Sequence, residues 1–407
     1  MFESLKLALP DKIMEVIQRF RSDKRESKMD LGAGVYLNEQ GISPIMKAVS
    51  LAQEKILEQE KSKAYIGVRG DFEFCDLISK LALGKTLLDS SRFATIQTTG
   101  GSAALRVLSD FIAFAKPEVT VWVSDPTWPN HLPILNAAQL KIKQYPYFDA
   151  QTRQVKFDKM MTYLNQHTKP EDVILLHASC HNPTGANLSE SMWVELMELI
   201  CQKKLVPFFD NAYQGFGDGL ETDAMAIRMM AEQVDEMLIA GSCSKNFGLY
   251  RERIGYGLIK AKTQNQAKNA LSQLLSITRA NYSMPPNFGA AIVREILNDQ
   301  QLKTIWQDEL SAMRDRMLDL RVALAQKLRQ STNSSCFDFL EHHRGMFSQT
   351  GIGEKNVERL ASDYGIYLVG MGRLNIAGLS FNKIDYLAQA ITELTKSNLS
   401  SSCAKFA

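Results

Sequence analysis

The run Gly241-Ser-Cys-Ser-Lys-Asn-Phe-Gly-Leu-Tyr-Arg-Glu-Arg-Ile-Gly255 sets one lysine, Lys245, between an apolar lead-in, Met237 to Ala240, and the arginines 251 and 253. The lead-in reads as a strand, so the lysine stands just past a strand end among serines, where it is partly desolvated. Desolvation and neighbouring cations both lower a lysine pKa, and a neutral amine forms a Schiff base with a carbonyl. An arginine close by holds an anion at a fixed distance from that amine. Taken alone the run also reads as a solvated basic loop. What the rest of the chain brings to the same place decides between the two readings.

Working outward, Ala94-Thr-Ile-Gln-Thr98 is strand-like and leads through Thr99-Gly100-Gly101-Ser102-Ala103 into a helix carrying Leu105, Leu108 and Ile112. Glycines and a hydroxyl at a strand-to-helix junction make an anion site, because free N–H groups and the helix dipole point at it. The pattern is neither Gly-x-Gly-x-x-Gly nor a P-loop, which favours one phosphate group over a pyrophosphate. The strand Val119–Val123 ends at Ser124-Asp-Pro-Thr-Trp-Pro-Asn-His131, where Trp128 is either core packing or a flat face for an aromatic ligand. Further strands are expected at Val173–His177, Leu205–Phe209 and Met237–Ala240, with helices between, notably Glu190–Lys203 with Trp193, Leu196, Met197 and Ile200. Apolar strands alternating with helices predict a mainly parallel sheet covered on both faces, with ligands bound outside the carboxyl ends of the strands. Gly101 and Ser102, Asn182 in His181-Asn-Pro-Thr-Gly185, Asp210 in Phe209-Asp-Asn-Ala-Tyr213 and Lys245 all fall at such ends.

Before that region, residues 11–26 predict a short amphipathic helix with Ile13, Val16, Ile17 and Phe20 on one face. Leu31-Gly-Ala-Gly-Val-Tyr-Leu37 reads either as a plain turn or as a substrate-facing loop. Pro44 precedes a helix with Val49, Ala52, Ile56 and Leu57 on its face, and Tyr65-Ile-Gly-Val-Arg-Gly70 is loop-like. After Pro285-Pro286 a long helical pattern runs from about 301 to 330. Short strands are expected at Phe337–Leu340 and Met346–Gln349, a helix near 354–364, a pair of strands at Ile366–Val369 and Arg373–Ile376, and a last helix from Lys383 to about Ser397. This predicts a second, α+β domain joined by the long helix, and a disordered tail over 397–407. Arg373 lies on an otherwise apolar strand, so it needs an anionic partner, either a ligand or a structural salt bridge.

Composition narrows the class. The 407 residues are enough for two domains, and 45% apolar content with a formal net charge of +2 describes an ordinary globular chain. Near-balanced charge without a long basic run argues against nucleic acid as a partner. The six cysteines are scattered, without Cys-x-x-Cys pairs or paired histidines, so neither a disulfide framework nor a metal site is expected. Residues 1–20 mix charges of both signs with apolar positions and read as neither signal nor transit peptide, and no apolar run approaches membrane-spanning length. The expectation is a cytoplasmic protein of a reducing compartment, with no membrane partner.

A Schiff-base lysine needs a carbonyl and the anion site needs a phosphate; pyridoxal 5'-phosphate supplies both. Asp210 would then keep the pyridine nitrogen protonated, with Tyr213 and Asn182 on the ring oxygen and Trp128 on the ring face. Ser102, the amides near Gly101, Ser242 and Arg253 would neutralise the phosphate, and Arg373 would clamp a carboxylate in bidentate fashion, which lysine does not reproduce. Lys245, once displaced, is free to move a proton at the substrate α-carbon.

At these residues the chain resembles the class I pyridoxal-phosphate aminotransferases, the family of aspartate and aromatic amino-acid aminotransferases. The matching stretches are Thr99–Arg106, Ser124–His131, His181–Gly185, Asp210-Asn-Ala-Tyr-Gln-Gly-Phe216, Ser242 through Lys245 and Phe247 to Arg253, Arg279-Ala-Asn-Tyr-Ser-Met-Pro-Pro286, Arg344-Gly-Met-Phe347 and Gly372-Arg-Leu-Asn-Ile-Ala-Gly378. They cover nearly the whole chain in the family's order. The resemblance implies an α/β chain of fold type I, with a large cofactor domain built on a mainly parallel mixed sheet and a smaller α+β domain. The implied division is an N-terminal arm (1–11), a small domain (12–44 and 313–398), a large domain (45–312) and a tail (399–407). It also implies a homodimer with shared active sites. Lys245, Asp210 and Tyr213 match the catalytic set, and Gly101, Ser102, Trp128, Asn182, Ser242 and Arg253 the cofactor ligands. Tyr65 matches a phosphate ligand donated by the neighbouring subunit. Gly34, Trp128, Asn182 and Arg373 match substrate contacts, and Arg279 matches the residue that reaches across the dimer to a dicarboxylate side chain. His131 and His177, which by composition alone read as core histidines, match residues behind the aspartate. Cis bonds are implied at Asp125-Pro126 and Asn182-Pro183.

Arg279 favours an acidic substrate such as aspartate or glutamate. Leu37, Ala64 and Met284 are apolar where aspartate-specific members tend to be polar, which would let Arg279 swing aside for an aromatic ring. Ser102 is smaller than the threonine typical of aspartate enzymes. Val35 and Ser43 depart from the bacterial aromatic subgroup. The leading expectation is an aromatic amino-acid aminotransferase moving the amino group of phenylalanine, tyrosine and aspartate to 2-oxoglutarate. The alternatives are an aspartate aminotransferase, a lyase or decarboxylase of the same fold, which should not need Arg279, and a non-enzymatic regulator, for which the N-terminal segment is too short.

Overall fold

A computed structural model describes residues 2–7, 12–84 and 91–402 of the chain. Among these, seven strands form one sheet: β2 (Phe93–Thr99), β3 (Thr120–Asp125), β4 (Lys141–Pro146), β5 (Val173–His177), β6 (Val206–Asn211), β7 (Met237–Ser242) and β8 (Ile254–Lys260), in the order β2-β8-β7-β6-β5-β3-β4. All neighbours run parallel except β8, which is antiparallel to both β2 and β7. The mainly parallel mixed sheet expected from the sequence is therefore present. Its central strands β5, β6 and β7 are buried along nearly their whole length and apolar up to their carboxyl ends, because both faces are covered. On one face Leu175, Phe208, Leu238 and Ile259 pack with Leu105 and Leu108 of helix Gly101–Ala115. On the other, Ile174, Leu176, Phe209 and Ile239 pack with Trp193, Leu196 and Ile200 of helix Glu190–Lys203.

Two short sheets lie apart from this one. Strand β1 (Met29–Asp30) pairs in parallel with β10 (Ile366–Tyr367), and β9 (Phe347–Gln349) pairs antiparallel with β11 (Arg373–Asn375). Helix Gln300–Thr332 runs between the two regions. Trp306 on this helix stacks on Phe247 at 4.4 Å and donates to the Asn246 carbonyl at 2.7 Å, which fixes the helix against the turn that carries Lys245.

Several expectations need correction. Residues 337–340 are not a strand: helix Phe339–His342 begins there, and the buried Phe337 and Leu340 have the three-residue spacing of a helical face. The segments at 366 and 373 are not partners in a ladder beyond one isolated bridge, Val369 to Arg373; each pairs with a strand distant in sequence. Leu57 is 83% exposed, one residue past Ile56 and so turned about 100° off the buried face of helix Lys47–Gln59. The last helix spans Ile384–Ser402, past the expected end at Ser397; the remainder of the expected tail, 403–407, lies outside the described residues, as do residues 1 and 8–11 of the expected arm. Both cis peptide bonds, Asp125-Pro126 and Asn182-Pro183, are present. Among the described residues no helix is long and apolar enough to cross a membrane.

Candidate active site

The parallel direction of β2, β3, β5, β6 and β7 brings their carboxyl ends to one rim, and antiparallel β8 starts at that same rim. Gly101 and Ser102 follow β2, Trp128 follows β3, Asn182 follows β5, Asp210 lies near the end of β6, Lys245 follows β7, and Arg253 immediately precedes β8. All of them line one pocket of about 170 Å³, together with Gly34, Tyr213, Ser242 and Arg373. Ile13, Leu105, Ala212, Ser244 and Phe347 complete its lining.

Lys245 is half-buried, its Nζ 4.8 Å from the centre of the Tyr213 ring. Burial lowers its pKa below 10.5; Asp210 opposes the shift and Arg253 adds to it. The amine is thereby easier to deprotonate than that of an exposed lysine. Asp210 is buried, and burial alone would raise its pKa; the His131 hydrogen bond and charge outweigh this and hold it below 3.8. The bond from His131 Nε2 to Asp210 Oδ2 is 3.1 Å. Behind it, Thr127 Oγ1 lies 2.8 Å from His131 Nδ1 and 3.3 Å from His177 Nε2. Burial, with His131 beside it, pushes the His177 pKa down to about 3, so this histidine is neutral at pH 7. A carboxylate kept ionised out of water, braced by His131 with Thr127 and His177 behind it, is a fixed negative charge facing the pocket.

On the opposite side, Arg373 is buried at the start of β11. Its Nη2 donates to the Gly32 carbonyl at 2.7 Å, its Nη1 to Asn182 Oδ1 at 3.4 Å, and its guanidinium carbon lies 4.3 Å from the centre of the Phe347 ring. Asn182 in turn donates to Tyr213 Oη at 3.3 Å. Gly101, Ser102, Ser242 and Arg253, the residues expected at the anion site, line the same pocket. Gly100 has φ +82°, and a Cβ there would fall 2.5 Å from Arg253 Nη2, so only glycine lets the start of helix Gly101–Ala115 approach the guanidinium. Arg253 Nη1 also reaches Ser244 Oγ at 3.4 Å, and Ser242 Oγ accepts from the Ser244 N–H at 3.2 Å.

Two expected site residues lie elsewhere. Tyr65 is 92% exposed, and Arg279 is exposed and bonded to Ser283 Oγ; neither lines the pocket of its own chain. Leu37, Ala64 and Met284 are also outside that lining. Sequence reasoning missed Ile13 and Phe347 as pocket walls and Thr127 as the bridge between the histidines. In the sequence Ile13 shows only the periodicity of a helical face, and Thr127 stands as one hydroxyl among the polar residues of a turn.

Residues 26–391 match the model of the family "Aminotransferase class I and II". The aromatic-amino-acid aminotransferase of Paracoccus denitrificans is 46% identical over 97% of this chain and 100% of that protein. The aspartate aminotransferase of Escherichia coli (strain K12) is 40% identical over 96% of this chain and 99% of that one. Among solved structures, an aromatic-amino-acid aminotransferase from Burkholderia pseudomallei covalently bound to pyridoxal phosphate superposes with a TM-score of 0.94 at 38% identity, covering 97% of this chain and 99% of that chain.

Proposed function

The chain belongs to the class I and II aminotransferases, pyridoxal-phosphate enzymes, and from that premise we propose that it moves the amino group of phenylalanine and tyrosine, and also of aspartate, to 2-oxoglutarate. Its substrates are amino acids and 2-oxo acids. The observation that carries the proposal is one pocket in which a buried carboxylate, a buried guanidinium and a half-buried amine meet between the apolar walls Ile13, Leu105, Trp128 and Phe347.

The residues fit the cofactor. The helix N-terminus at Gly101–Ser102 with Ser242 and Arg253 suits the phosphate, Asp210 the ring nitrogen, Asn182 and Tyr213 the ring oxygen, and Trp128 the ring face. When bound, pyridoxal 5'-phosphate supplies an aldehyde for the amino group and a protonated ring that takes up the electron pair left by a departing α-proton. Lys245 Nζ is the base for that proton, and its uncharged form is favoured by the same burial that makes it nucleophilic. Arg373 holds the substrate α-carboxylate, and Gly34, two residues past the Gly32 carbonyl that accepts from Arg373, lines the pocket beside it without a side chain. The apolar walls receive an aromatic side chain and exclude water from the reacting carbon.

A homodimer with shared sites is part of this reading: Tyr65 and Arg279, both on the outside of their own chain, reach the neighbouring copy's phosphate and substrate side chain. Cytoplasmic location and the division into a small domain (12–44 and 313–398) and a large one (45–312) complete it. An aspartate aminotransferase is the second reading, favoured by Arg279.

Incubation with phenylalanine and 2-oxoglutarate is expected to give phenylpyruvate and glutamate in equal amounts, with parallel initial-rate lines when both substrates are varied. Carbon dioxide or ammonia released without glutamate would instead mark a decarboxylase or lyase.

A further inference from the structure

Gln97 lies in β2, the outer strand of the seven-stranded order, and is fully buried. Its backbone N–H donates to the Arg69 carbonyl at 2.9 Å, and Arg69 Nε returns a bond to the Thr95 carbonyl at 2.9 Å. The segment ending at Asp71 therefore covers the open edge of β2 at Thr95 and Gln97. The Gln97 side chain reaches two ways. Its Oε1 accepts from the Asp71 N–H at 2.9 Å, and its Nε2 donates to the Pro286 carbonyl at 2.6 Å. Gly70 has φ +85°, and a Cβ there would fall 2.4 Å from Gln97 Cβ, so the loop backbone sits directly on this side chain. A second tie repeats the connection: Asp71, which caps helix Phe72–Leu83, pairs with Arg294 of helix Phe288–Asn298, the element that follows Pro286.

The two segments joined by Gln97 are the ones that carry Tyr65 and Arg279, the expected site residues that stand outside their own pocket. We propose that Gln97 is a positioning residue for the partner subunit's site: it sets both protruding segments in one register, so that phosphate contact and dicarboxylate contact are presented together. The inference rests on the shared-site homodimer proposed above. The amide is specifically suited, since one acceptor and one donor must face opposite ways; a carboxylate offers acceptors only, and a thioether neither in strength.

Subunit hybrids test it. In the first, one chain carries Lys245→Ala with Gln97→Met and the other is native. The active lysine and the altered Gln97 are then on different chains, yet the KM for 2-oxoglutarate is expected to rise about 10- to 100-fold. In the second, Lys245→Ala is on one chain and Gln97→Met on the other, and the KM is expected to stay at the value of the hybrid carrying only Lys245→Ala. Gln97→Glu, used in the same pairings, removes only the donor to Pro286; it is expected to raise that KM while cofactor affinity, which reads Tyr65, stays near native. It also serves if Gln97→Met does not fold. A larger effect in the second hybrid than in the first, or equal effects in both, overturns the proposal. A control pairs a Lys245→Ala, Arg279→Ala chain with a native one. If the control leaves the KM unchanged, the shared-site reading fails and this inference with it; if the control raises it and the first Gln97 hybrid does not, only the role of Gln97 fails.

Discussion

Lys245→Ala is expected to lower amino-group transfer by on the order of 10⁶-fold, the scale on which enzymes lose activity when a covalent nucleophile is removed. Two functions leave with one atom: attachment of the cofactor and movement of the α-proton. The site keeps its remaining shape, because Lys245 packs over Tyr213 rather than anchoring a strand, and the turn around it is held by Trp306 on the Asn246 carbonyl. Native activity should also rise with pH through the Lys245 titration, since the base form is the reactive one, and burial brings that titration below 10.5. Single-turnover rates with phenylalanine check both expectations. A variant within about 100-fold of native would remove Lys245 from the chemistry, because positioned acid–base groups alone account for 10²- to 10⁴-fold.

Asp210→Asn is expected to reduce kcat by about 10³-fold, the size of effect seen when a preorganised electrostatic partner is removed from a dry site. Shape is retained, but the charge facing the ring nitrogen is lost. In the native chain that charge persists well into acid, because the His131 bond overcomes the cost of burial and keeps the pKa below 3.8. Cofactor should remain bound through Gly101, Ser102, Ser242 and Arg253, which separates loss of turnover from loss of the prosthetic group. A kcat within tenfold of native, with cofactor bound, would contradict the role given to Asp210.

The site was legible in the sequence to the extent that it lies at strand ends. Apolar runs located β5, β6 and β7, and the polar residue that closes or follows each one (Asn182, Asp210, Lys245) lines the pocket, because parallel strands put all such ends on one rim. Strands with weak patterns were missed. Strand β4 (Lys141–Pro146) is an edge strand that exposes Lys and Gln, and β8 (Ile254–Lys260) carries Gly255 and Gly257, which lower β-propensity. Gly255 is nonetheless required, since its backbone packs against Gly100, where a Cβ would fall 2.5 Å from the Gly100 carbonyl carbon. Contacts made across long sequence separations left no local signal either. Ile13 and Phe347 reach the pocket from elements far from the sheet, and the pairing of β1 with β10 joins residues over 330 apart. Tyr65 and Arg279 are a different case: motif resemblance singled them out, and on the single chain both are exposed and outside the pocket lining.

An aromatic aminotransferase is told from an aspartate enzyme by the single-turnover half-reaction of the cofactor-loaded protein with phenylalanine, tyrosine and aspartate, each followed by loss of the bound cofactor's visible absorbance. Bleaching with the aromatic donors is expected at rates comparable to or faster than that with aspartate. Bleaching with aspartate alone would contradict it and make the chain an aspartate aminotransferase.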